Sequence, residues 1–463
     1  MKKLDLSRMD IEEKNKSSEI IQNIIVGLTV SFVAISLGAA FGVQSGRGAF
    51  AGIMSAGIIA LVCSLLGGTR IQCSGPTAPM TAFVISIAAI KSIDNNDHFL
   101  NLIFILTGLI LILAGLLRFG KLIKYIPKVV LSGFMNGIAI LIWIYEIQKL
   151  FGLADKKALT GSATANLLIA LFTLIMLFVL PPVIKKVLKA KAAFLPATLL
   201  SIVVMSLVAN MGSLDIEKVV LGTSLNSFAD FTTLIKSQIP VDWSFEVIKL
   251  ALPFALGLSL LAYLDTLLTS LVVDKIQEEN GHDDKTKQNK ELMAQGVANG
   301  LIAFIGGIPG AQATIRSVLM LKENATMRLA GIMVGVFVLI EMLLFQNYIS
   351  LIPKAVFAGL LIKVGYDVFD WEPFWKYLSQ HFKIGQNISD GFKTSYLVTH
   401  MDMFFIVGTS LVTALYSLNI AVIVFTLLFY IFKRFTTVPD LKGPEKDDEK
   451  DDNPAEEIKS VSE

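Results

Sequence analysis

Asp265 stands in the middle of the apolar run Leu258–Val273. A carboxyl group at that depth in a hydrocarbon-spanning segment costs about 3 kcal/mol or more if nothing partners it. Thr266 follows it directly, and Thr269 lies one turn later on the same helix face. Carboxylate, hydroxyl and exposed carbonyl oxygens together suit a hard cation such as Na+. A carboxyl group taken out of water can instead carry a proton, or serve as a structural Asp bonded to a neighbouring helix. Two further stretches place polar groups where a buried helix is expected. Gln72-Cys73-Ser74-Gly75-Pro76-Thr77-Ala78-Pro79-Met80-Thr81 carries two prolines, and Gly306-Gly307-Ile308-Pro309-Gly310-Ala311-Gln312-Ala313-Thr314-Ile315-Arg316 carries a Pro-Gly pair. Proline removes a backbone donor and pushes the preceding residue out of helical angles. Each stretch therefore reads as extended backbone followed by a helix start. Such a start presents free N–H groups and the positive end of a dipole to an anion, with Thr77, Gln312 and Thr314 as nearby polar side chains.

These residues need long apolar elements to hold them. The chain has 463 residues, 54% of them hydrophobic and only 17% charged, with mean hydropathy +0.66. Ordinary soluble domains carry about 25% charge. Apolar runs of bilayer-spanning length recur along most of the chain, so it reads as an all-α polytopic membrane protein. Irregular backbone is tolerated at membrane depth only against protein or a watery cavity, which points to a site at the broken stretches, with a packing kink of close glycine contacts as the alternative. The head Met1–Lys16 is polar and lacks a small-residue cleavage site, so no signal peptide is expected. Cys63 and Cys73 sit in or beside spans, where a disulfide scaffold or metal cluster is not expected. No nucleophile–base pair, phosphate-cradling loop or His/Cys cluster appears, so no enzyme is expected. Basic residues sit at span ends, which gives no support to nucleic-acid binding.

About fourteen elements follow from the apolar runs. They are Ile20–Val43, Gly48–Leu66, the broken Ser74–Lys91, Phe99–Leu117, Ile126–Ile147, Leu167–Val183 and Phe194–Asn210. After a polar connection, Met211–Trp243, come Phe245–Val273, Leu292–Ile305, the broken Pro309–Leu321, Leu329–Phe345, Ile352–Val364, Met403–Leu415 and Leu418–Phe432. Alternating crossings collect Arg118, Lys121, Lys124 and Lys128, then Lys185, Lys186, Lys189 and Lys191, then Lys433 and Arg434, on one side. The positive-inside rule makes that side cytoplasmic, with both termini inside. Residues 1–18 form a polar cytoplasmic arm with a pattern compatible with an interfacial helix. Residues 19–434 form the transmembrane domain, and 435–463 an acidic tail read as disordered.

The chain carries an internal echo. Ile126-Pro127-Lys128-Val129-Val130-Leu131-Ser132-Gly133-Phe134 resembles Ile352-Pro353-Lys354-Ala355-Val356-Phe357-Ala358-Gly359-Leu360, and a Gly-Gly pair (Gly67-Gly68, Gly306-Gly307) precedes each broken element. The offset is seven spans. An odd offset inverts the second copy, giving repeats over about 19–210 and 245–434 with broken elements three and ten. Inverted repeats with matching breaks point to a transporter whose site lies between them. Of the other polar residues, Asn136 and Asn299 read as interhelical hydrogen-bond formers, and Glu341 as ambiguous. Arg316 supplies positive potential to the anion or reaches the inner interface. Phe41 lines the site or packs in the bundle, and His400 and Asp402 face water at a span edge.

At this point the sequence resembles the SulP (sulfate permease) family of anion transporters and exchangers. Four passages carry the likeness: Val33–Gly42, Ser74–Thr81, Gly133–Ala139, and Asn289–Leu292 through Gln295–Asn299 to Gly306–Pro309. The likeness spans about Ile20 to Phe432. It implies a seven-plus-seven inverted-repeat fold with a core domain (elements one to four and eight to eleven) and a gate domain (five to seven and twelve to fourteen). It also implies an elevator-like motion of the core and a homodimer formed through the gate. The anion would bind at the starts of elements three and ten, here Thr77 and Ala78 facing Gln312, Ala313 and Thr314, with Phe41 at the edge. In sodium-coupled bicarbonate members an acid in element eight and a threonine one turn on help hold Na+. Asp265 and Thr269 match that pair, with Thr314 opposite. Proton-coupled relatives often have Glu at the acid's position. Ser36 stands where many members have proline, Gln312 where many have glycine, and only a short tail follows Arg434, too small for the family's STAS domain.

The resulting expectation is a multi-pass cell-membrane (inner or plasma membrane) carrier of a small inorganic anion by Na+-coupled bicarbonate symport. The alternatives are sulfate or dicarboxylate transport with H+ coupling, and an anion exchanger or channel. A nucleobase carrier of similar architecture would need a carboxylate in element ten, and there is none.

Overall fold

The computed structural model describes residues 6–88, 96–153, 158–188, 197–219, 227–279, 284–385, 389, 397–416, 418–436 and 438–441. The first half contains α1 (Leu6–Gln44), α2 (Gly48–Leu66), a short strand β1 (Ser74–Pro76), α3 (Ala78–Ala88), α4 (Asn96–Leu116), α5 (Lys128–Phe151), α6 (Ala163–Leu188) and α7 (Ala197–Met211). After α8 (Phe228–Gln238) the second half repeats the order. It comprises α9 (Phe245–Glu279), α10 (Gln288–Ile302), β2 (Gly310–Gln312), α11 (Thr314–Lys322), α12 (Arg328–Ile349), α13 (Lys354–Val368), α14 (Trp371–Phe382), α15 (His400–Leu415) and α16 (Leu418–Phe435). Setting α8 and α14 aside leaves seven elements in each half, with the third of each broken by a strand. Among the described residues seven helices are long and apolar enough to cross a membrane. Large apolar side chains stand exposed along α4, α6 and α16, among them Leu109, Leu113, Phe172, Ile175, Ile423 and Leu427. A water-facing surface of that kind would drive association, whereas hydrocarbon accommodates it.

The polar connection between the halves holds a helix: α8 starts at Ser227 with a capping box, in which Asp230 N–H donates to Ser227 Oγ and Asp230 accepts from the Ser227 amide. Ser227-x-x-Asp230 is a legible helix-start signal. Asp402 is buried, not water-facing, because it closes the same kind of box with Thr399 at the start of α15. His400 beside it is exposed. The N-terminal arm continues α1 from Leu6 without a boundary at the first span. Ser36 lies within that unbroken helix and donates its hydroxyl to the Phe32 carbonyl at 2.6 Å. The acidic tail from residue 442 lies outside the described residues.

The described residues fall into two compact units, one within Met1–Tyr125 and Ile138–Val368, the other within Ile126–Gly137 and Phe369–Glu463. In the first, α4 packs on α10 and α2 on α12, with α1 against both α2 and α12. Glycines permit the closest of these crossings. A Cβ at Gly108 on α4 would come 2.5 Å from the Gly296 carbonyl on α10, and one at Gly335 on α12 would come 2.7 Å from Gly57 O on α2. Small residues bring helix backbones together where no hydrophobic effect drives them. In the second unit the start of α5 lies on α15, where a Cβ at Gly133 would meet the Ile406 carbonyl at 2.5 Å. Phe405 then stacks edge-on with Phe425, Phe429 and Phe432 of α16. Asn136 accepts the Asp370 amide at the start of α14 at 2.6 Å.

Candidate functional site

Both broken elements meet in the first unit. Strands β1 and β2 pair antiparallel, with Ser74 opposite Gln312, Gly75 opposite Ala311 and Pro76 opposite Gly310. Each strand leads directly into a helix, so α3 and α11 leave the pair in opposite directions with their N-termini converging. The close approach requires glycine at the crossing, because a Cβ at Gly310 would fall inside the Gly75 carbonyl. The Thr81 amide makes the first helical bond of α3, to Thr77 O. The amides of Ala78 and Met80 therefore precede the ladder, and Pro79 has no donor to lose. In α11 the Ser317 amide bonds Ala313 O, leaving the Thr314, Ile315 and Arg316 amides ahead of it. The Ala313 amide is spent on the Cys73 carbonyl at 3.0 Å, so Ala313 fastens β2 to β1.

A polar stripe on α10 braces this pair. Glu291, Gln295 and Asn299 recur every four residues and are fully buried. Glu291 Oε2 accepts the Gly68 amide at 2.8 Å, the Thr69 amide at 3.0 Å and Gln72 Nε2 at 2.9 Å. Its Oε1 accepts Gln295 Nε2 at 3.0 Å, and that nitrogen also donates to Ser74 Oγ at 2.7 Å. Asn299 takes both backbone groups of Gly310, accepting its amide at 2.8 Å and donating to its carbonyl at 2.9 Å. An unpaired β segment within a bundle would leave such groups unmet; this stripe meets them. Cys63 and Cys73 are buried free thiols near it.

Asp265, Thr266 and Thr269 all face the break from α9. The Gln312 amide donates to Thr266 Oγ1 at 3.4 Å, and the hydroxyls of Thr269 and Thr314 lie 2.6 Å apart. The Thr77 hydroxyl lies beside the Asp265 carboxyl, and the Arg316 guanidinium is near enough to act on its charge. Asp265 Oδ2 and Thr77 Oγ1 are both buried without a hydrogen-bond partner, so the approach of Thr77 falls short of bond geometry. Arg316 is 1% exposed. Its Nη2 donates to the Pro76 carbonyl at 3.0 Å, which carries it across the break to the end of β1. Its Nε and Nη1, like Gln312 Nε2, have no acceptor. Buried donors without acceptors therefore stand near a buried carboxylate oxygen without a donor. Groups of that kind are costly unless something fills them, and an anion with a cation would fill both sets.

Of the residues expected at the site, the structure brings Thr77, Ala78, Gln312, Ala313, Thr314, Asp265, Thr269 and Arg316 together at the crossing. Phe41 is buried on α1, a helix that packs on β1, α3 and α11, and it makes no polar contact. Glu291 and Gln295 went unassigned in the sequence. Their signal was a four-residue polar period through an apolar helix.

A profile of the sulfate permease family matches residues 20–386. The chain belongs to the sulfate permease family. Among its sulfate permease relatives, a putative sulfate transporter of Bacillus subtilis, YvdB, is 28% identical over 425 residues, covering 89% of this chain and 73% of the relative. The bicarbonate transporter BicA of a Picosynechococcus species is 30% identical over 381 residues, covering 78% of this chain and 64% of that protein. The solved transmembrane domain of a cyanobacterial BicA superposes with a TM-score of 0.70 at 26% identity, covering 88% of this chain and 97% of that one. SLC26A9 gives the same TM-score of 0.70 at 19% identity, covering 90% of this chain and 65% of its own, which speaks to fold alone. The chain is thus a multi-pass sulfate permease family protein, and that family is one of anion transporters.

Proposed function

We propose that the protein is a secondary transporter that carries bicarbonate with Na+ across the cell membrane. The observation that carries this reading is the pair of unmet sets at the crossing: Arg316 and Gln312 donors on one side, the Asp265 carboxylate on the other. The converging starts of α3 and α11 each add about half a positive charge, which suits a small anion. Asp265, Thr269 and Thr314 offer a carboxylate and two hydroxyls to a hard cation. Charge balance links the two. Asp265 and Arg316 cancel one another, so a monovalent anion entering alone leaves the buried site one charge negative. An accompanying Na+ restores neutrality, and burying an uncompensated charge is the larger cost. The anion's own oxygens complete the cation's coordination, so each ion lowers the other's cost of entry.

Movement of a core of elements one to four and eight to eleven against a gate of elements five to seven and twelve to fourteen, as an elevator, would expose this site to either side. The protein would work as a homodimer formed through the gate, with both termini in the cytoplasm. Sulfate with H+ coupling is the second reading. It draws on the Bacillus relatives named as putative sulfate transporters and on the ability of Asp265 to hold a proton in place of Na+.

The test is uptake of labelled bicarbonate and labelled sulfate into proteoliposomes, with and without an inward Na+ gradient. Bicarbonate uptake is expected to saturate and to rise with the Na+ gradient, and Asp265→Asn should remove the Na+ dependence. Equal Na+ dependence in the Asn variant would end the coupling assignment. Sulfate uptake driven by a proton gradient alone would favour the second reading.

A further inference from the structure

Glu341 is the acid that the site does not use. It lies on α12 at 5% exposure, and its hydrogen-bond partner is on α1, not on β1 or β2. Its Oε1 is 2.6 Å from Ser31 Oγ on α1, and Ser31 Oγ is also 2.7 Å from the Leu28 carbonyl oxygen. A hydroxyl has one proton, and a carbonyl has none to give. When Ser31 donates to Leu28, the contact with Glu341 needs a proton from the carboxyl group itself. A neutral carboxylic acid, with Oε1–H donating to Ser31 while Ser31 donates to Leu28, satisfies both short contacts on the one hydroxyl. That leaves Oε2 as an acceptor, and it is buried without any partner.

Glu341 also lines a cavity of about 510 Å3 between α1, α2, α7, α12 and α13. This is the size of a small-molecule site. Its walls are apolar, with Phe32, Leu199, Ile202, Phe345 and Phe357 among them. Among the described residues, no charged residue other than Glu341 lines it, and Tyr348 is the other titratable group. The remaining polar side chains there are largely engaged: Ser36 bonds Phe32 O, and Asn210 bonds Ser206 O and Leu351 O. Ser206 Oγ on α7 is the second atom without a partner. The lining residues Val203, Leu207, Phe345 and Tyr348 are exposed, which gives an apolar molecule access to the cavity from the hydrocarbon phase.

We propose that this cavity is a binding site for a neutral amphiphile, an apolar body with one hydroxyl donor, which gives its hydrogen bond to Glu341 Oε2. A cationic amine is the poorer fit to a neutral carboxyl group in apolar walls, because it would be buried without a counter-charge. The site is separate from the anion crossing and does not depend on which anion is carried.

The test uses the full chain in lipid nanodiscs, photolabelled with a diazirine analogue of 1-octanol and mapped by mass spectrometry. Adducts are expected on α7 and α12, and excess 1-octanol should compete them away. Glu341→Leu removes the acceptor and should cut that labelling about fivefold, the worth of one hydrogen bond to a buried acceptor. Glu341→Gln keeps the pattern of the neutral acid, with an amide N–H to Ser31 and a carbonyl facing the cavity, so its labelling should match the parent. Labelling unchanged in Glu341→Leu would overturn the role of Glu341. Loss in both variants, with octylamine a better competitor than 1-octanol, would mean an ionised carboxylate and overturn the neutral site. Thermal unfolding of each variant separates loss of the site from loss of the fold.

Discussion

Arg316 shows how much of the site depends on one side chain. A guanidinium offers five donors in a fixed plane, and here Nη2 goes to the Pro76 carbonyl while Nε and Nη1 have no acceptor. A lysine would keep the charge but could not hold β1 and face an anion together. Arg316→Lys is therefore expected to raise the KM for the anion about tenfold, the cost of a lost charge-assisted bond, with a smaller change in the maximal rate. Steady-state uptake over a range of anion concentrations checks this, and an unchanged KM would remove Arg316 from the site. Thr314→Val should act differently. It removes the hydroxyl 2.6 Å from Thr269, so the concentration of Na+ giving half-maximal uptake should rise while the fold is retained. Arg316 was legible in the sequence as the basic residue just past a break, although whether it turned inward was not. Glu291 carried only the signal of a four-residue polar period, and an acid near a helix start ordinarily reads as an interface residue. Only the folded chain shows that four donors converge on it.

The elements that hold the site are strands too short to stand alone. A three-residue pair inside a helical bundle persists because Glu291, Gln295 and Asn299 meet its backbone and side-chain groups. Glu291→Gln replaces two acceptor oxygens with one, and its new amide would face donors rather than acceptors. Each buried donor left unmet costs about 1–3 kcal/mol, so this variant should lose thermal stability and anion affinity together, read by a thermal shift and by uptake. Gly310→Ala should be harsher locally, since its Cβ would overlap Gly75 O and part the strands. A second elemental contact lies outside the spans. Glu217 receives Lys354 Nζ at 2.5 Å and the Thr160 amide at 3.0 Å. Burial alone would push its carboxyl up, but these bonds outweigh burial and hold it below the usual carboxylate range. A carboxyl lowered on folding adds stability above its unfolded value and loses it as the pH falls through the folded one. The parent should therefore lose a small part of its thermal stability on acidification into that range, and Glu217→Gln should lack that part. The breaks were legible from proline and glycine, but the strand pairing was not. Pairing between residues more than two hundred apart leaves no periodicity in either stretch.

At the scale of the whole molecule, the echo in the sequence has a physical counterpart. The glycine of each Ile-Pro-Lys copy serves a helix crossing: Gly133 lets the start of α5 reach α15, and Gly359 lets α13 reach Ala170 O on α6. These crossings occupy corresponding places in the two halves, as do Gly108 on Gly296 and Gly335 on Gly57. The halves thus share packing rules as well as element order, and their broken elements are brought head to head by an antiparallel strand pair. Length, apolar runs and the two breaks made this architecture readable in advance. The helices α8 and α14 were not expected, because they are amphipathic and lie between the apolar runs. The arrangement also bears on how charge crosses the membrane. A site holding Asp265 and Arg316 is neutral when empty and neutral again with one Na+ and one bicarbonate. Neither form then carries net charge through the field, where each unit of charge would be worth about 2.3 kcal/mol per 100 mV. Uptake should therefore be electroneutral: imposing a potassium diffusion potential of either sign on proteoliposomes should leave the initial Na+-driven bicarbonate rate unchanged. Arg316→Gln would make the empty site negative and its loaded form likewise, so any residual uptake in that variant should become sensitive to voltage. A parent rate that changes with potential would mean a stoichiometry other than one to one, or a divalent anion, and would break the charge balance on which the coupling rests.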